Sequence, residues 1–554
     1  MYLFYLFYGK IDKVFITNGD IRIKIIMKKL EKKLVKQNII AFLKENRIML
    51  IAILCLILSR IPSVFIGLHG INFDEAAIDY NIFCLSEYGV DRYGNSFPVY
   101  FANATSGQSA LYVYIGVILS KIFGFSITLC RVVKLLGELI TLTCGGVLVK
   151  KLIGEKQQWI FYVLYIISPY FYKMSGMSFD CDLIIPMFVL CMYLVYRCYE
   201  KKTIGSYVAL GVCVGLLGYS YIIAVLMIPL FFVVQLIFGW NKKYILVEGV
   251  TTAIVSWPIY WYTLTLVGFV PSINTSFMTI EPVSVYRTKD IGFSFKNFLN
   301  LKYMIFVDSQ ADFAGSQTHG TIYMITWIFV IIGIVLAIKK LINIFKNKGE
   351  KHVKEIDARF FAIFFFVAFI PIMFIKDATT YNYTVLYYFI LVLASIGIGK
   401  LIKHYKLIAI IVGMCYLFMF ASFMKEYFVR EPYIYGDDLV MDMFDIIEED
   451  EMVMIDTTSV FQMECYLGIK YGINPREIVY NEVGRGTSVG NIYFNDIAQL
   501  SKYDKIIIRN DIKYYYDTGI DGGLNDVQAQ SVMKKLTEAG YTMKQVNGYC
   551  IYTK

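Results

Sequence analysis

Three carboxylates lie within six residues of one another, at Asp74, Glu75 and Asp79. If Phe73–Phe83 forms a helix, Glu75 and Asp79 are four residues apart and share one face, where like charges repel by a few tenths of a kcal/mol. A carboxylate at a membrane surface, beside low-dielectric material, has its pKa raised toward the range useful to a general base. The same residues could equally form a solvated acidic loop.

A second acidic cluster contains Asp180 and Asp182, in the sequence Ser175-Gly-Met-Ser-Phe-Asp-Cys-Asp-Leu. Ionisable residues at the head of a membrane span are costly, which favours a functional role. Asp180 could also simply cap the helix that follows. If both clusters lie at one membrane face, they could meet in a pocket that activates a hydroxyl group, with one carboxylate removing the proton and others orienting the acceptor or holding a cation.

Basic side chains near the same face could neutralise a leaving phosphate. Spacing does not choose among the candidates, which are Arg60, Arg92, Lys173, Arg287, Lys289 and Lys376. A carboxylate cluster could also hold a divalent cation. Three acids in six residues are not a coordination pattern by themselves, so the sequence leaves the metal requirement open.

The elements that must position these residues are membrane spans. The composition is 57% hydrophobic and 18% charged, against about 45–50% and about 25% in soluble domains. Apolar runs approach or exceed the roughly 18–20 residues that cross a bilayer, and three of them contain no charge: Tyr221–Gly239, Ile322–Ile338 and Leu407–Met424. A further apolar run, Ile48–Leu68, contains a single charged residue, Arg60. We expect the Arg60 side chain to extend toward the headgroups. The chain is therefore predicted to be an integral membrane protein.

Basic residues cluster at the ends of the apolar runs, as expected for cytoplasmic flanks. This placement explains the net charge of +9 and argues against nucleic-acid binding. Alternating flanks predict about eleven spans, with the N-terminus in the cytoplasm. Residues 107–149 fit one full crossing plus a half-inserted or surface helix.

Three domains follow from this pattern. Residues 1–47 form a basic cytoplasmic segment, 48–429 a helical membrane domain with outer loops at 68–106 and 267–321, and 430–554 an extracytoplasmic α/β domain. In the last, strands are predicted at Met452–Ile455 and Lys505–Ile508. Helices are predicted there at Asp437–Ile447 and Asp526–Ala539.

An ordered set of motifs resembles bacterial glycosyltransferase family 39, whose members have the GT-C fold and are relatives of the protein O-mannosyltransferases and aminoarabinose transferases. The motifs are Asn72-Phe-Asp-Glu-Ala, Gly89-Val-Asp-Arg-Tyr-Gly-Asn-Ser-Phe-Pro-Val-Tyr-Phe, Ser106-Gly-Gln-Ser-Ala-Leu-Tyr, Ser168-Pro169, Phe179-Asp180-Cys181 and Gly218-Tyr-Ser-Tyr. The resemblance covers residues 48–270. Beyond that point only the number of spans supports it.

The resemblance implies that a sugar moves from a polyprenyl-phosphate lipid to an acceptor hydroxyl at the outer membrane face, with inversion. Asp74 would be the general base, Glu75 would support it or help to bind the acceptor, and Asp180 would be the second acidic residue. We expect further substrate contacts from Asp79, Arg92, Tyr93, Gln108, Lys173 and Arg287.

Two positions depart from the family pattern. Ser175 is followed by Gly176, where family members often carry an arginine, and Lys173 is near enough to replace it. The family histidine before the second span is replaced within the run Gly107-Gln108-Ser109.

Two other functions compete with a transferase, namely a lipid or polysaccharide transporter and a non-catalytic protein of envelope assembly. Transporters often show inverted repeats and charges at the membrane midplane. This sequence has no evident repeat, and its acids lie at one face, which favours surface chemistry. By the logic of the family, the C-terminal domain is not needed for the reaction, although it could select an acceptor or close over the outer loops.

Overall fold

The computed structural model describes residues 43–66, 73–103, 106–238, 241–282, 292–301, 319–346, 359–376, 378, 380–429, 446–448, 450–456, 460–475, 479–480, 487–489, 491–494, 496, 499–509, 526–546 and 549–554. The chain divides into two compact units, Met1–Leu54 and Cys55–Lys554. The second unit contains every predicted site residue. The predicted basic segment at 1–47 lies almost wholly outside the described residues.

Six helices of the described chain are long and apolar enough to cross a membrane, namely Arg47–Phe65, Ile127–Leu152, Asp180–Lys201, Met324–Asn343, Leu386–His404 and Lys406–Val429. Shorter apolar helices are Ala110–Phe123, Ile204–Leu217, Ile222–Ile237 and Arg359–Phe374. Glu155–Ile167, Pro169–Met174 and Lys242–Leu266 are also helical. Each span predicted from hydropathy overlaps one of these helices.

The region predicted as the first outer loop contains a helix and a strand. Phe73–Tyr88 is a helix of 16 residues, here called the acidic helix. Asp74 and Glu75 lie in its first turn, where carboxylates interact favourably with the helix dipole. It ends before Gly89, whose φ of 70° suits a residue without a side chain. The condition that Phe73–Phe83 is helical is therefore met, and the helix extends by more than a turn beyond Phe83.

Glycines allow the membrane helices to approach closely. A Cβ atom on Gly333 would lie 2.1 Å from the carbonyl oxygen of Leu393, and one on Gly397 would lie 2.2 Å from that of Phe329. Each helix thus presents a glycine to the backbone of the other. Small residues at such crossings are typical of membrane bundles, because association there depends on close packing.

The C-terminal domain is built on a mixed sheet of seven strands. Its order from one edge is Thr542–Val546, Tyr549–Thr553, Lys505–Arg509, Val453–Asp456, Ile492–Phe494, Thr487–Val489 and Val479–Tyr480. The strand Val453–Asp456 is parallel to both of its neighbours. Both predicted strands are confirmed. The helix predicted at Asp437–Ile447 lies outside the described residues except for its last two.

Helices cover both faces of this sheet. Alternate residues such as Met454 and Ile506 pack with the helix Asp526–Glu538, which confirms the predicted helix at Asp526–Ala539. Residues on the other face pack with the helix Val460–Lys470, here called the docking helix. The apolar cluster on that face continues into the acidic helix, so the C-terminal domain rests on the element that carries the first acidic cluster.

Candidate active site

Asp74 lies against a small antiparallel hairpin formed by Tyr100–Asn103 and Ser106–Ser109. The side-chain amide of Asn103 donates a hydrogen bond to the Asp74 carboxylate. The side-chain amide of Gln108 donates to the backbone carbonyl of Asp74 at 2.8 Å. Both amides are buried, whereas Asp74 is only half-buried. The hairpin therefore fixes Asp74 while leaving part of it accessible.

The same hairpin holds the second acidic cluster. The backbone N–H of Ser109 donates to Oδ2 of Asp180 at 2.7 Å. Asp74 and Asp180, which are separated by more than a hundred residues of sequence, thus contact neighbouring residues of one hairpin. The structure brings the two acidic clusters together at one hairpin, an arrangement that the sequence left open.

A stripe of charges on the helix Ile127–Leu152 lies beneath these clusters. Arg131 Nε is 3.1 Å from Glu75 Oε1, and Lys134 Nζ is 2.7 Å from Asp182 Oδ1. Glu138 Oε2 is 2.9 Å from Arg60 Nε. The three helix residues are spaced three and four apart and therefore share one face. Because all six side chains are at most 4% exposed, the stripe is a row of buried ion pairs.

Two of the acids are held by these ion pairs. Glu75 and Asp182 are neutralised by buried cations, and Glu75 also accepts the backbone N–H of Ser178 at 3.3 Å. Asp74 and Asp180 hydrogen-bond to the hairpin. Breaking a buried pair typically costs about 3–5 kcal/mol, because it leaves a charge without compensation. The paired acids are thus fixed in place.

Asp79 lies one helical turn from Glu75 and is completely buried. Burial is the main cause that raises the pKa of Asp79 well above its ordinary value, and the nearby Glu75 charge raises it further. The Arg131 charge and the neighbouring Ser178 and Cys130 side chains oppose this effect. Asp79 was predicted to contact substrate, but the structure places it in the protein interior behind Glu75.

Arg92 and Tyr93 were also predicted to contact substrate. The Arg92 guanidinium is buried and donates to the Tyr93 hydroxyl at 2.9 Å and to the carbonyl of Ala102 at 3.0 Å. It also lies 3.9 Å from the sulfur of Cys465 in the docking helix. Tyr93 is 40% exposed. Arg92 is thus held inside the protein, between the hairpin and the C-terminal domain.

Lys173 lies in the short helix Pro169–Met174 and is 8% exposed. Close packing favours the glycine found three residues later, at position 176. A Cβ atom on Gly176 would lie 3.0 Å from the carbonyl oxygen of Ser63 and 3.1 Å from the Tyr427 hydroxyl. Those groups occupy the space where a larger side chain would begin. Arg287 lies outside the described residues.

The expectation that Arg60 extends to the headgroups was wrong. Arg60 is fully buried, pairs with Glu138, donates to the carbonyl of Ile166 at 2.9 Å and lies 5.0 Å from the centre of the Tyr172 ring. Neighbouring helices satisfy its charge, so exposure to the headgroups is unnecessary.

Arg131 and Lys134, the partners of the acidic clusters, are not among the cations predicted from the sequence. The signal was present in the three-and-four spacing of charges at 131, 134 and 138 within an otherwise apolar helix. No group of three or more His, Cys, Asp or Glu side chains among the described residues is arranged to hold a metal ion.

Comparisons with known proteins support a shared fold. No protein-family model matches the sequence, and no curated protein matches it. The structure of ArnT from Cupriavidus metallidurans in the apo state aligns with a TM-score of 0.57 and 9% identity, covering 92% of this chain and 98% of that one. The same protein bound to undecaprenyl phosphate aligns with a TM-score of 0.54 and 10% identity, covering 91% and 97%.

An oligosaccharyltransferase from Archaeoglobus fulgidus, in complex with Zn and sulfate, aligns with a TM-score of 0.50 and 13% identity. The alignment covers 91% of this chain and 73% of that one. At these identities the likeness is one of fold, and it extends over the membrane helices and the C-terminal domain together. The chain is therefore a polytopic α-helical membrane protein with a GT-C-like fold.

Proposed function

We propose that this chain is a membrane glycosyltransferase. It moves a sugar from a polyprenyl-phosphate donor to an acceptor hydroxyl at the outer face of the cytoplasmic membrane, with inversion. The observation that carries the proposal is the meeting of Asp74 and Asp180 on one hairpin, above a row of buried ion pairs. The fold shared with ArnT, which has been solved with undecaprenyl phosphate bound, supports the class of donor.

In the proposed reaction Asp74 is the general base. It accepts the proton of the acceptor hydroxyl while that oxygen bonds to the anomeric carbon of the sugar. The bond between this carbon and the phosphate oxygen breaks, and polyprenyl phosphate leaves with the bonding electrons. A single displacement of this kind inverts the anomeric centre. Asn103 and Gln108 orient the base, since both side chains hydrogen-bond to Asp74.

The other acids have separate roles in the proposal. Glu75 supports the base from behind and is fixed by Arg131. Asp180, which accepts a hydrogen bond from the Ser109 backbone of the hairpin, orients the acceptor. Lys173 would neutralise the departing phosphate, because the position after Ser175 holds the closely packed Gly176 in place of the arginine of the family pattern.

A prenyl donor also needs an apolar surface beside the acids. A groove of about 570 Å³ runs along the helix Lys242–Leu266 and is lined by Phe232, Ala253, Trp257, Tyr260, Trp261 and Leu264, among others. Two residues that line the groove, Tyr260 and Trp261, also pack against the apolar cluster that contains Tyr100 of the hairpin. The ring of Tyr100 lies 4.8 Å from that of Tyr262. We assign this groove to the isoprenoid chain of the donor, so that its phosphate would be delivered toward the hairpin.

The proposed orientation places the N-terminus in the cytoplasm and the C-terminal domain outside. Its support is the distribution of basic residues, which flank alternate ends of the apolar helices. In this orientation the acidic helix and the hairpin lie at the outer face.

The proposal is tested by incubating the purified protein with radiolabelled polyprenyl-phosphate sugars and a panel of envelope glycans, lipids and proteins as acceptors. Transfer of label by the wild type but not by Asp74→Asn supports it. Movement of lipid between leaflets without transfer of sugar, unaffected by that substitution, would instead identify a transporter. Binding of acceptor without either activity would identify an assembly protein.

We also propose that a divalent cation binds beside Asp74 or Asp180, because carboxylate oxygens are the usual ligands of such ions. The same transfer assay tests this. Chelation with EDTA, followed by return of Mg²⁺ or Mn²⁺, decides it. Activity that survives chelation contradicts the metal without affecting the assignment of the base.

A further inference from the structure

At Gly468 the docking helix of the C-terminal domain packs directly against the Tyr80 side chain of the acidic helix. A Cβ atom on Gly468 would lie 2.4 Å from both Cζ and the hydroxyl oxygen of Tyr80. Around this point Cys465 and Leu467 are buried in the same apolar cluster as Ala76 and Cys84. The contact is therefore close and specific in shape, and a single methyl group would disturb it.

Arg92 connects this contact to the hairpin. Its guanidinium reaches the sulfur of Cys465 at 3.9 Å on one side and the carbonyl of Ala102 at 3.0 Å on the other. Ala102 immediately precedes Asn103, whose side chain holds Asp74. The path from the C-terminal domain to the proposed base therefore passes through one buried side chain and one peptide unit.

The turn that carries Arg92 is itself fixed. Oδ1 of Asp91 accepts the backbone N–H groups of Tyr93 and Asn95 at 2.9 and 2.7 Å. The backbone N–H of Arg92 donates to Oδ1 of Asn81 in the acidic helix at 3.2 Å. With both the turn and the guanidinium held, a shift of the docking helix would be transmitted to the hairpin rather than absorbed by the loop.

We infer that the C-terminal domain is part of the active-site machinery, and that Arg92 is the positioning residue through which it holds the hairpin under Asp74. This inference assigns Arg92 a role different from the substrate contact predicted from the sequence. It also makes the C-terminal domain necessary for turnover. The expected loss of kcat rests on the proposed function, whereas the expected loosening of the hairpin does not.

The test uses the full-length protein in detergent and two substitutions that act at different points. Gly468→Ala places a methyl group against Tyr80, and Gly413→Ala is its matched control, because a Cβ atom at Gly413 would meet nothing within 4 Å. Arg92→Lys keeps the charge but cannot reach two acceptors as a planar guanidinium does. The double variant Gly468→Ala, Tyr80→Leu removes the group that the methyl would strike.

Hydrogen–deuterium exchange of the hairpin is the first readout. We expect about tenfold faster exchange over residues 100–109 in Gly468→Ala and in Arg92→Lys, with Gly413→Ala unchanged and the double variant largely restored. Wild-type protection of the hairpin in both Gly468→Ala and Arg92→Lys would overturn the inference. If Gly468→Ala fails to fold, Arg92→Lys alone decides between these outcomes.

Turnover is the second readout. A displaced base should lower kcat by about tenfold to a hundredfold while the affinity for the lipid donor is retained. A kcat equal to that of the wild type despite a loosened hairpin would also overturn the inference. If the wild-type protein transfers no sugar at all, the proposed function fails, but the exchange measurement still decides whether the C-terminal domain positions the hairpin.

Discussion

Arg131 Nε lies 3.1 Å from Glu75 Oε1, and neither side chain is more than 4% exposed. Replacing Arg131 with methionine leaves the Glu75 carboxylate buried without its cation, so we expect a loss of about 3–5 kcal/mol in stability. The double variant Arg131→Met, Glu75→Gln removes both charges and should regain much of that stability. Thermal unfolding in detergent measures both effects.

The exposed pair of Arg197 and Glu200, with N–O separation of 3.3 Å, provides the matched control. Its substitution Arg197→Met should change stability by no more than about 1 kcal/mol. Equal effects of Arg131→Met and Arg197→Met would contradict the account of the buried stripe.

Asp79 should make stability fall as the pH rises. Burial and the Glu75 charge raise the pKa of Asp79 in the folded protein. Above the ordinary aspartate range the unfolded chain has released this proton while the folded chain still holds it. The unfolded state then binds fewer protons, so stability decreases with pH until the folded pKa is passed. Asp79→Asn cannot titrate and should flatten this part of the profile.

The measurement is the melting temperature of the wild type and Asp79→Asn across the mildly acidic to neutral range. Asp450→Asn, which replaces an exposed carboxylate, should leave the profile unchanged. Parallel profiles for the wild type and Asp79→Asn would show that Asp79 is ionised in the folded protein.

Filling the apolar groove should weaken the binding of long donors selectively. Ala253 lines the groove, and Ala253→Trp would occupy space assigned to the isoprenoid chain. We expect KM for a long polyprenyl-phosphate sugar to rise about tenfold, since the burial of one or two isoprene methyl and methylene groups is lost. A donor with a very short prenyl chain is the control. An equal rise in KM for both donors would remove the groove from the donor site.

Lys173→Ala should weaken the binding of the donor phosphate. A charge-assisted contact with phosphate contributes about 1.5–3 kcal/mol, so the Kd of the lipid donor should rise by at least about tenfold. Lys121→Ala removes an exposed lysine and is the control. Unchanged donor affinity in Lys173→Ala would show that another cation holds the phosphate.

Hydropathy identified apolar segments that overlap the helices of the membrane domain, because lipid demands long apolar runs. The number of about eleven spans stays a prediction, since six described helices are long and apolar enough to cross and four more are shorter. The strands Val453–Asp456 and Lys505–Arg509 also followed from local pattern. The pairing of Arg60 with Glu138 did not, because it joins helices distant in sequence. A single sequence cannot show which helices become neighbours.

The candidate site could likewise be predicted only in part from the sequence. The motifs identified Asp74 and Asp180 as candidates, because their residue types suit proton transfer. They did not reveal that Asp79 is enclosed behind Glu75, or that Arg92 lies between the hairpin and the C-terminal domain. Asp79 lies near Arg131, Cys130 and Ser178, and Arg92 reaches Cys465 of the docking helix. Both facts depend on contacts between segments distant in sequence, which composition does not encode.

The role of Asp74 as the general base is tested most directly by comparing Asp74→Asn with the wild type for both donor binding and sugar transfer. Asparagine keeps the shape of the side chain but cannot accept the proton of the acceptor. We expect Asp74→Asn to bind the lipid donor with nearly unchanged Kd while kcat falls by about 10²–10⁴. Transfer by Asp74→Asn at the wild-type rate would show that Asp74 is not the general base.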